Sequence, residues 1–121
     1  MKRIHLSFDD GPHPVNTLQI LETLKEYNIK ATFFVLGERV KNYGSIVEEI
    51  IAEGHRVGNH TYDHKDLTTL SEQEITDEIR TTEKLIAQHA PVDHIIRPPY
   101  GSRNTKVNNG ACNLNCVSAC F

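Results

Sequence analysis

The 121-residue chain has no tryptophan, a single methionine and no apolar run long enough to span a bilayer. Met1-Lys2-Arg3 is basic but leads straight into a short alternating stretch, with no apolar segment of the kind a secretory signal needs. The expectation is therefore no signal peptide within this chain and no membrane partner. A formal charge of -3 gives no electrostatic reason to expect nucleic acid or an anionic lipid surface either. Charge of both signs runs out towards the end: nothing charged follows Lys106, and neither histidine nor an acidic residue follows Gly101. Cysteine is scarce and confined to the last ten residues, as Cys112, Cys116 and Cys120. Their spacing would stack them on one face of a helix, but it does not match the paired short loops of structural zinc sites. An odd count leaves one thiol over in any disulfide scheme, and the incidental reading of these cysteines is the better one.

What the chain does contain is a regular alternation, at a length that allows one domain at most. Ile4, Leu6 and Phe8 alternate with His5 and Ser7 as a buried strand, stopped by Gly11-Pro12. Asn16-x-x-Gln19 resembles a capping box, followed by Leu18, Ile20, Leu21, Leu24 and Tyr27 at helical spacing as far as Asn28. The continuous apolar run Ala31–Leu36, closed by Gly37, reads as a strand buried on both faces. Ser45-x-x-Glu48 opens a second helix ending at Gly54, and Arg56-Val57-Gly58 follows as a short strand. Ser71-x-x-Glu74 starts a third helix carrying Ile75, Ile79, Leu85 and Ile86, and Ile95-Ile96 is a last short strand. Strand-helix alternation predicts an α/β fold, a parallel sheet with crossover helices. Nothing in Ala111–Phe121 is expected to continue that rhythm, and Asn108-Asn109-Gly110 reads as a break.

In parallel α/β folds, active sites gather at the C-terminal ends of the strands. Three polar motifs fall at such ends. Asp9 and Asp10 are adjacent in extended chain, so their side chains diverge: one can hold a metal while the other faces a water. The competing reading is an Asx-type turn with both acids solvated. His60-Thr61-Tyr62-Asp63-His64 sets two imidazoles four apart. In a helix they would share one face and could share a divalent cation; otherwise they are capping or surface histidines. Asp63 could support one of them. Arg97-Pro98-Pro99-Tyr100-Gly101 follows a strand, where two prolines hold the backbone extended and the guanidinium could grip a carboxylate with both arms. The alternative there is a solvated arginine and a surface tyrosine. His5, His13, His55, His89 and His94 show no partner spacing and read as structural or exposed.

Taken in order, Ser7-Phe8-Asp9-Asp10-Gly11-Pro12, Gly58-Asn59-His60-Thr61-Tyr62-Asp63-His64 and Arg97-Pro98-Pro99-Tyr100-Gly101 resemble the first three motifs of the polysaccharide deacetylases, the carbohydrate esterases of the NodB homology domain. The resemblance covers roughly residues 3–105. It implies a distorted (β/α) barrel, of which this chain would supply about the first half. It also implies metal-dependent hydrolysis of N- or O-acetyl groups on a polymer such as peptidoglycan or chitooligosaccharide. By motif position Asp9 would be the general base, and Asp10, His60 and His64 the metal ligands. Arg97 would hold Asp9, the Tyr100 N–H would face the oxyanion, and Pro99 and Tyr100 would line the substrate. A histidine-rich ligand set favours zinc, with cobalt or nickel also suited.

The family supplies its general acid from a later Leu-x-His motif, after a tryptophan-containing one, and neither occurs here. The expected organisation is a partial deacetylase domain over 1–106 and an atypical, truncated or off-frame cysteine-containing tail over 107–121. Impaired turnover is expected, with a non-catalytic metal- or glycan-binding remnant as the alternative. Sheet edges left open in half a barrel would favour self-association. Family members often act at the cell wall or outside the cell.

Overall fold

A computed structural model describes residues 3–114 and the backbone of 117–118. Five parallel strands, β1 (Leu6–Gly11), β2 (Ala31–Val35), β3 (Arg56–Asn59), β4 (Ile95–Ile96) and β5 (Val117–Ser118), lie in sequence order across one sheet. Helices α1 (Asn16–Glu26), α2 (Gly37–Ala52), α3 (Glu72–Ala87) and α4 (Thr105–Asn113) make the crossovers. This is the expected parallel sheet with connecting helices, and the alternation continues to residue 118. The break expected at Asn108-Asn109-Gly110 does not occur, because tertiary packing overrides weak helix propensity there. Val107 and Ala111 bury one face of α4 against Ile75, Ile79 and Ile96. Gly110 permits the approach, since a Cβ on it would stand 2.7 Å from Ile75 Cγ2. The readings of Cys116 and Cys120, and of the Cys112 side chain, lie outside the described residues.

Two apolar clusters support the sheet. The larger joins Leu21 and Leu24 of α1, Phe33 and Val35 of β2, Val40, Val47 and Ile50 of α2, and Val57 of β3. Each fully buried side chain of this size contributes about 1.5–3 kcal/mol. The smaller holds Leu67, Ile75, Ile79 and Ile96 together with α4. Ile4 and Leu6, read as part of a buried strand, are exposed because β1 lies at the sheet edge, and Leu18 and Tyr27, grouped with the apolar stripe of α1 by spacing, are exposed as well.

Two helix starts differ from the sequence reading. Asn16 makes no capping bond; the Nδ1 of His13 accepts from the N–H groups of Val15 and Asn16, at 3.1 and 3.0 Å. A histidine thus does the work that Asn16-x-x-Gln19 suggested. Helix α2 starts at Gly37 rather than Ser45, and Tyr43 interrupts it with non-helical backbone (φ -133°, ψ 41°). The Ser45 signal therefore marks a restart after a kink. The Ser71/Glu74 capping box forms as expected, and Gly54 ends α2 with φ +88°.

His55 ties β2 to the end of α2. Its buried ring accepts the Ala31 N–H at Nδ1 (3.1 Å) and meets Phe33 edge-on. Burial, with a contribution from Lys30, pushes this imidazole below its ordinary value of 6.5. The unfolded chain therefore takes up the proton first, and stability present above pH 6.5 is lost as the pH falls towards the lower folded-state value. Acidification from about pH 7.5 to about pH 5.5 is expected to lower the melting temperature. In His55→Phe the orphaned Ala31 N–H costs about 1–3 kcal/mol at neutral pH, and the same acidification removes less stability than in the parent. Thermal melts at both pH values check this; an equal acid sensitivity in the variant contradicts it.

Candidate metal and catalytic site

The three motifs meet at the C-terminal end of the sheet. β1 runs in register with β2 through Asp9 opposite Phe34, then slips so that Gly11 faces Val35. Asp10 is the extra residue of that bulge, at φ +71°. A bulge re-aims a side chain and sharpens the local twist. The consequence is the divergence expected of adjacent acids: Asp9 faces Arg97, and Asp10 faces the two histidines.

Arg97 leaves β4 with its N–H on the Asn59 carbonyl (2.9 Å). Its Nη1 donates to Asp9 Oδ1 at 2.6 Å and its Nη2 to Ser7 Oγ at 3.0 Å, while the guanidinium carbon lies 4.1 Å from the centre of the Phe34 ring. Gly58 makes room for that ring, since a Cβ there would fall 2.6 Å from Phe34 Cε1. Asp9 is thus held by one oxygen, leaving Oδ2 directed towards His60 Nε2 at 4.0 Å.

His60 follows β3 and is almost fully buried. Its Nδ1 lies 2.6 Å from the Arg97 carbonyl oxygen, which can only accept, so Nδ1 carries the proton. In the neutral ring Nε2 then presents a lone pair, and it points at Asp10 Oδ1 from 3.3 Å. His64 Nε2 approaches the same oxygen at 3.4 Å. Burial holds the His60 imidazole below the usual histidine range, and the Arg97 carbonyl and the charges of Asp9 and Asp10 offset only part of that. The buried His60 lone pair and the exposed Asp10 carboxylate oxygen face each other, an arrangement that a positive charge between them would favour.

The helical arrangement that would set His60 and His64 on one face is not the one adopted. The segment is irregular, with Thr61 and His64 in the left-handed region at φ +70° and +64°. Two left-handed residues, rather than a helical turn, bring the rings to a centroid separation of 4.9 Å. Asp63 supports neither histidine and pairs with Lys65 at 3.2 Å. Tyr100 is exposed, at φ +62°, with its ring edge-on to His64 at 4.7 Å; Pro99 is buried behind it. The other histidines have structural partners: His5 with Thr32, His89 with Glu48 and His94 with Glu83.

Sequence reasoning missed Ser7, Phe34 and Asn59. Asn59 is buried, donates from Nδ2 to the Ile79 carbonyl (2.9 Å) and accepts the Thr61 N–H at Oδ1 (2.8 Å). A polar residue closing a buried β3 just before a ligand candidate was the available signal.

Asp10, His60 and His64 offer three ligand atoms that all lie within 4.8 Å of one another. Ligands about 2.1 Å from a tetrahedral ion stand about 3.4 Å apart, the separation seen at two of the three edges. The donor set, two imidazoles and one carboxylate, suits a zinc-type ion and leaves coordination positions open.

A model of the polysaccharide deacetylase family matches residues 1–118. The chain belongs to the polysaccharide deacetylase family. It is 46% identical over 107 residues to the peptidoglycan-N-acetylglucosamine deacetylase PgdA of Listeria monocytogenes, covering 88% of this chain and 23% of that protein. Identity to a chitooligosaccharide deacetylase of Rhizobium leguminosarum bv. trifolii is 44% over 115 residues, covering 93% and 53%. Among solved structures, the peptidoglycan deacetylase PdaC of Bacillus subtilis superimposes with a TM-score of 0.89 at 40% identity, covering 95% of this chain and 56% of that one. A CE4 family pseudoenzyme of Bacillus anthracis gives 0.89 at 30% identity, covering 96% and 42%. The chain thus spans roughly a quarter to a half of the length of these curated relatives, and the fold is the corresponding part of the NodB-type domain.

Asn59→Ala orphans the buried Thr61 N–H and is expected to lower unfolding free energy by about 1–3 kcal/mol. Urea denaturation measures it; a loss under about 0.5 kcal/mol contradicts the role given to Asn59.

Proposed function

We propose that this chain carries the cation site and general base of a hydrolase that removes N- or O-acetyl groups from an acetylated polysaccharide, peptidoglycan or chitooligosaccharide being the classes its relatives suggest. The reading is carried by one observation: Asp9, held through Oδ1 by Arg97, keeps Oδ2 beside the cluster in which Asp10, His60 and His64 converge.

Asp10, His60 and His64 would hold a divalent ion, zinc by preference, with cobalt or nickel as substitutes. Such an ion, when bound, supplies Lewis-acid polarisation of an acetyl carbonyl and acidifies a water. Asp9 Oδ2 is the atom placed to take the proton of the attacking water, because Oδ1 is already engaged. Arg97 fixes the direction of that carboxylate through the bond to Oδ1. The Tyr100 N–H is the proposed oxyanion donor; the neighbouring Gly101 and Ser102 N–H groups are engaged with Pro98 and Pro99 carbonyls. One such donor contributes about 2.7–4 kcal/mol to the transition state. Pro99 and Tyr100 would form the substrate-facing wall.

A second reading, a non-catalytic metal- or glycan-binding domain, is favoured by one feature. A CE4 family pseudoenzyme superimposes on this chain with a TM-score of 0.89 at 30% identity. Acetate release from acetylated chitooligosaccharide or peptidoglycan, with and without added zinc, separates the two. For the enzyme, Asp9→Asn is expected to lower kcat about 10²–10⁴-fold while zinc binding persists, and His60→Ala to lose both. Zinc binding with no acetate from the unmodified chain selects the second reading.

Self-association is a further expectation of the same proposal. Ile4, Leu6, Tyr27 and Ile29 are exposed along the β1 edge, which pairs only with β2 among the described strands. Sedimentation equilibrium is expected to show concentration-dependent association; a monomer at all concentrations contradicts it.

A further inference from the structure

The geometry points to Glu78, on α3, as the positioning residue that holds the histidine loop in its ligating shape, an inference that rests on the cation reading proposed above. Glu78 Oε2 accepts the Tyr62 N–H at 3.1 Å, and Oε1 receives Lys65 Nζ at 3.4 Å. Its side chain is only 12% exposed, and the bond to the Tyr62 N–H is partly shielded from water. Tyr62 and Lys65 bracket His64 in the chain, and one carboxylate therefore grips the loop on either side of the second imidazole.

The same peptide is held from the opposite direction. The first N–H groups of α2 donate to the loop, Gly37 to the Thr61 carbonyl (2.9 Å) and Glu38 to the Tyr62 carbonyl (3.0 Å). Tyr62 is thus fixed at its carbonyl by α2 and at its N–H by Glu78. The restraint has something to oppose: Thr61 and His64 both occupy left-handed backbone, which is unfavourable for a residue with a side chain. Released at Tyr62, the loop gains by returning to ordinary angles, and His64 then leaves Asp10. The ion pair with Lys65 is exposed and adds little; the bond to the Tyr62 N–H carries the role. Position 78 is presented by the register of α3, which the Ser71/Glu74 capping box starts and the buried Ile75, Ile79 and Thr82 hold against the fold.

The test is a cobalt(II) titration of the full chain, followed by calorimetry and by the visible d–d absorption of the bound ion. Glu78→Ala is expected to weaken cobalt binding about 10–100-fold and to change the d–d spectrum. Glu78→Gln, whose carbonyl can still accept the Tyr62 N–H, is expected to stay close to the parent in both. Leu21→Ala, in the core far from the loop, is expected to lower the melting temperature and leave cobalt affinity unchanged, which separates positioning from general destabilisation. Should Glu78→Ala not fold, Glu78→Asp keeps the charge but is one methylene too short for the Tyr62 N–H, and carries the same expectation. Parent-like affinity and spectrum in Glu78→Ala or Glu78→Asp, or equal weakening in Leu21→Ala, overturns the inference. If His60→Ala binds cobalt as tightly as the parent, the cation reading itself fails, whatever Glu78 does.

Discussion

Arg97 joins the two halves of this site. Its guanidinium fixes Asp9, and its carbonyl oxygen, 2.6 Å from His60 Nδ1, decides which imidazole nitrogen is protonated. With that proton placed, His60 Nε2 must offer a lone pair towards Asp10. The proposed general base, Asp9, and the proposed nitrogen ligand, His60, are therefore oriented by one residue at the end of β4. The rest of the architecture serves to bring β4 to β3 in parallel register, with Asn59 opposite Ile96. The Phe34 ring under the guanidinium, and the absence of a side chain on Gly58, complete the support.

The proposed second nitrogen ligand, His64, needs more restraint. His60 extends a strand, whereas His64 reaches the cluster through an irregular loop with two left-handed residues. Such backbone persists only when neighbours over-determine it. Asn59 grips Thr61, the α2 N-terminus grips the Thr61 and Tyr62 carbonyls, and Glu78 grips the Tyr62 N–H. The loop's shape is thus imposed by α2 and α3, both anchored in the apolar clusters. Core packing and ligand geometry are connected through a handful of hydrogen bonds.

How much of this could be read beforehand follows from which signals are local. The apolar run of β2, the Ser71/Glu74 box and the final Ile95-Ile96 pair are local patterns, and each became the expected element. The motif residues Asp9, Asp10, His60, His64 and Arg97 were legible because strand ends in parallel sheets share one rim. Helix α4 was not legible: its Asn-Asn-Gly interior has poor propensity, and Val107 and Ala111 make it a helix only by packing on α3 and β4. The start of α2 was hidden because Gly37 resembles a strand terminator until the Thr61 carbonyl accepts its N–H. The geometry of His60 and His64 was hidden for the same reason. A four-residue spacing suggests a helical turn, and only tertiary hydrogen bonds show that the loop does the job instead.

Zinc K-edge X-ray absorption on the zinc-loaded chain reads the coordination shell itself. Binding by Asp10, His60 and His64 predicts about two imidazoles with outer-shell multiple scattering, an oxygen contribution near 2.0–2.2 Å and no sulfur. A sulfur shell near 2.3 Å, or oxygen-only coordination, would place the ion elsewhere and contradict the convergence of Asp10, His60 and His64 on one cation.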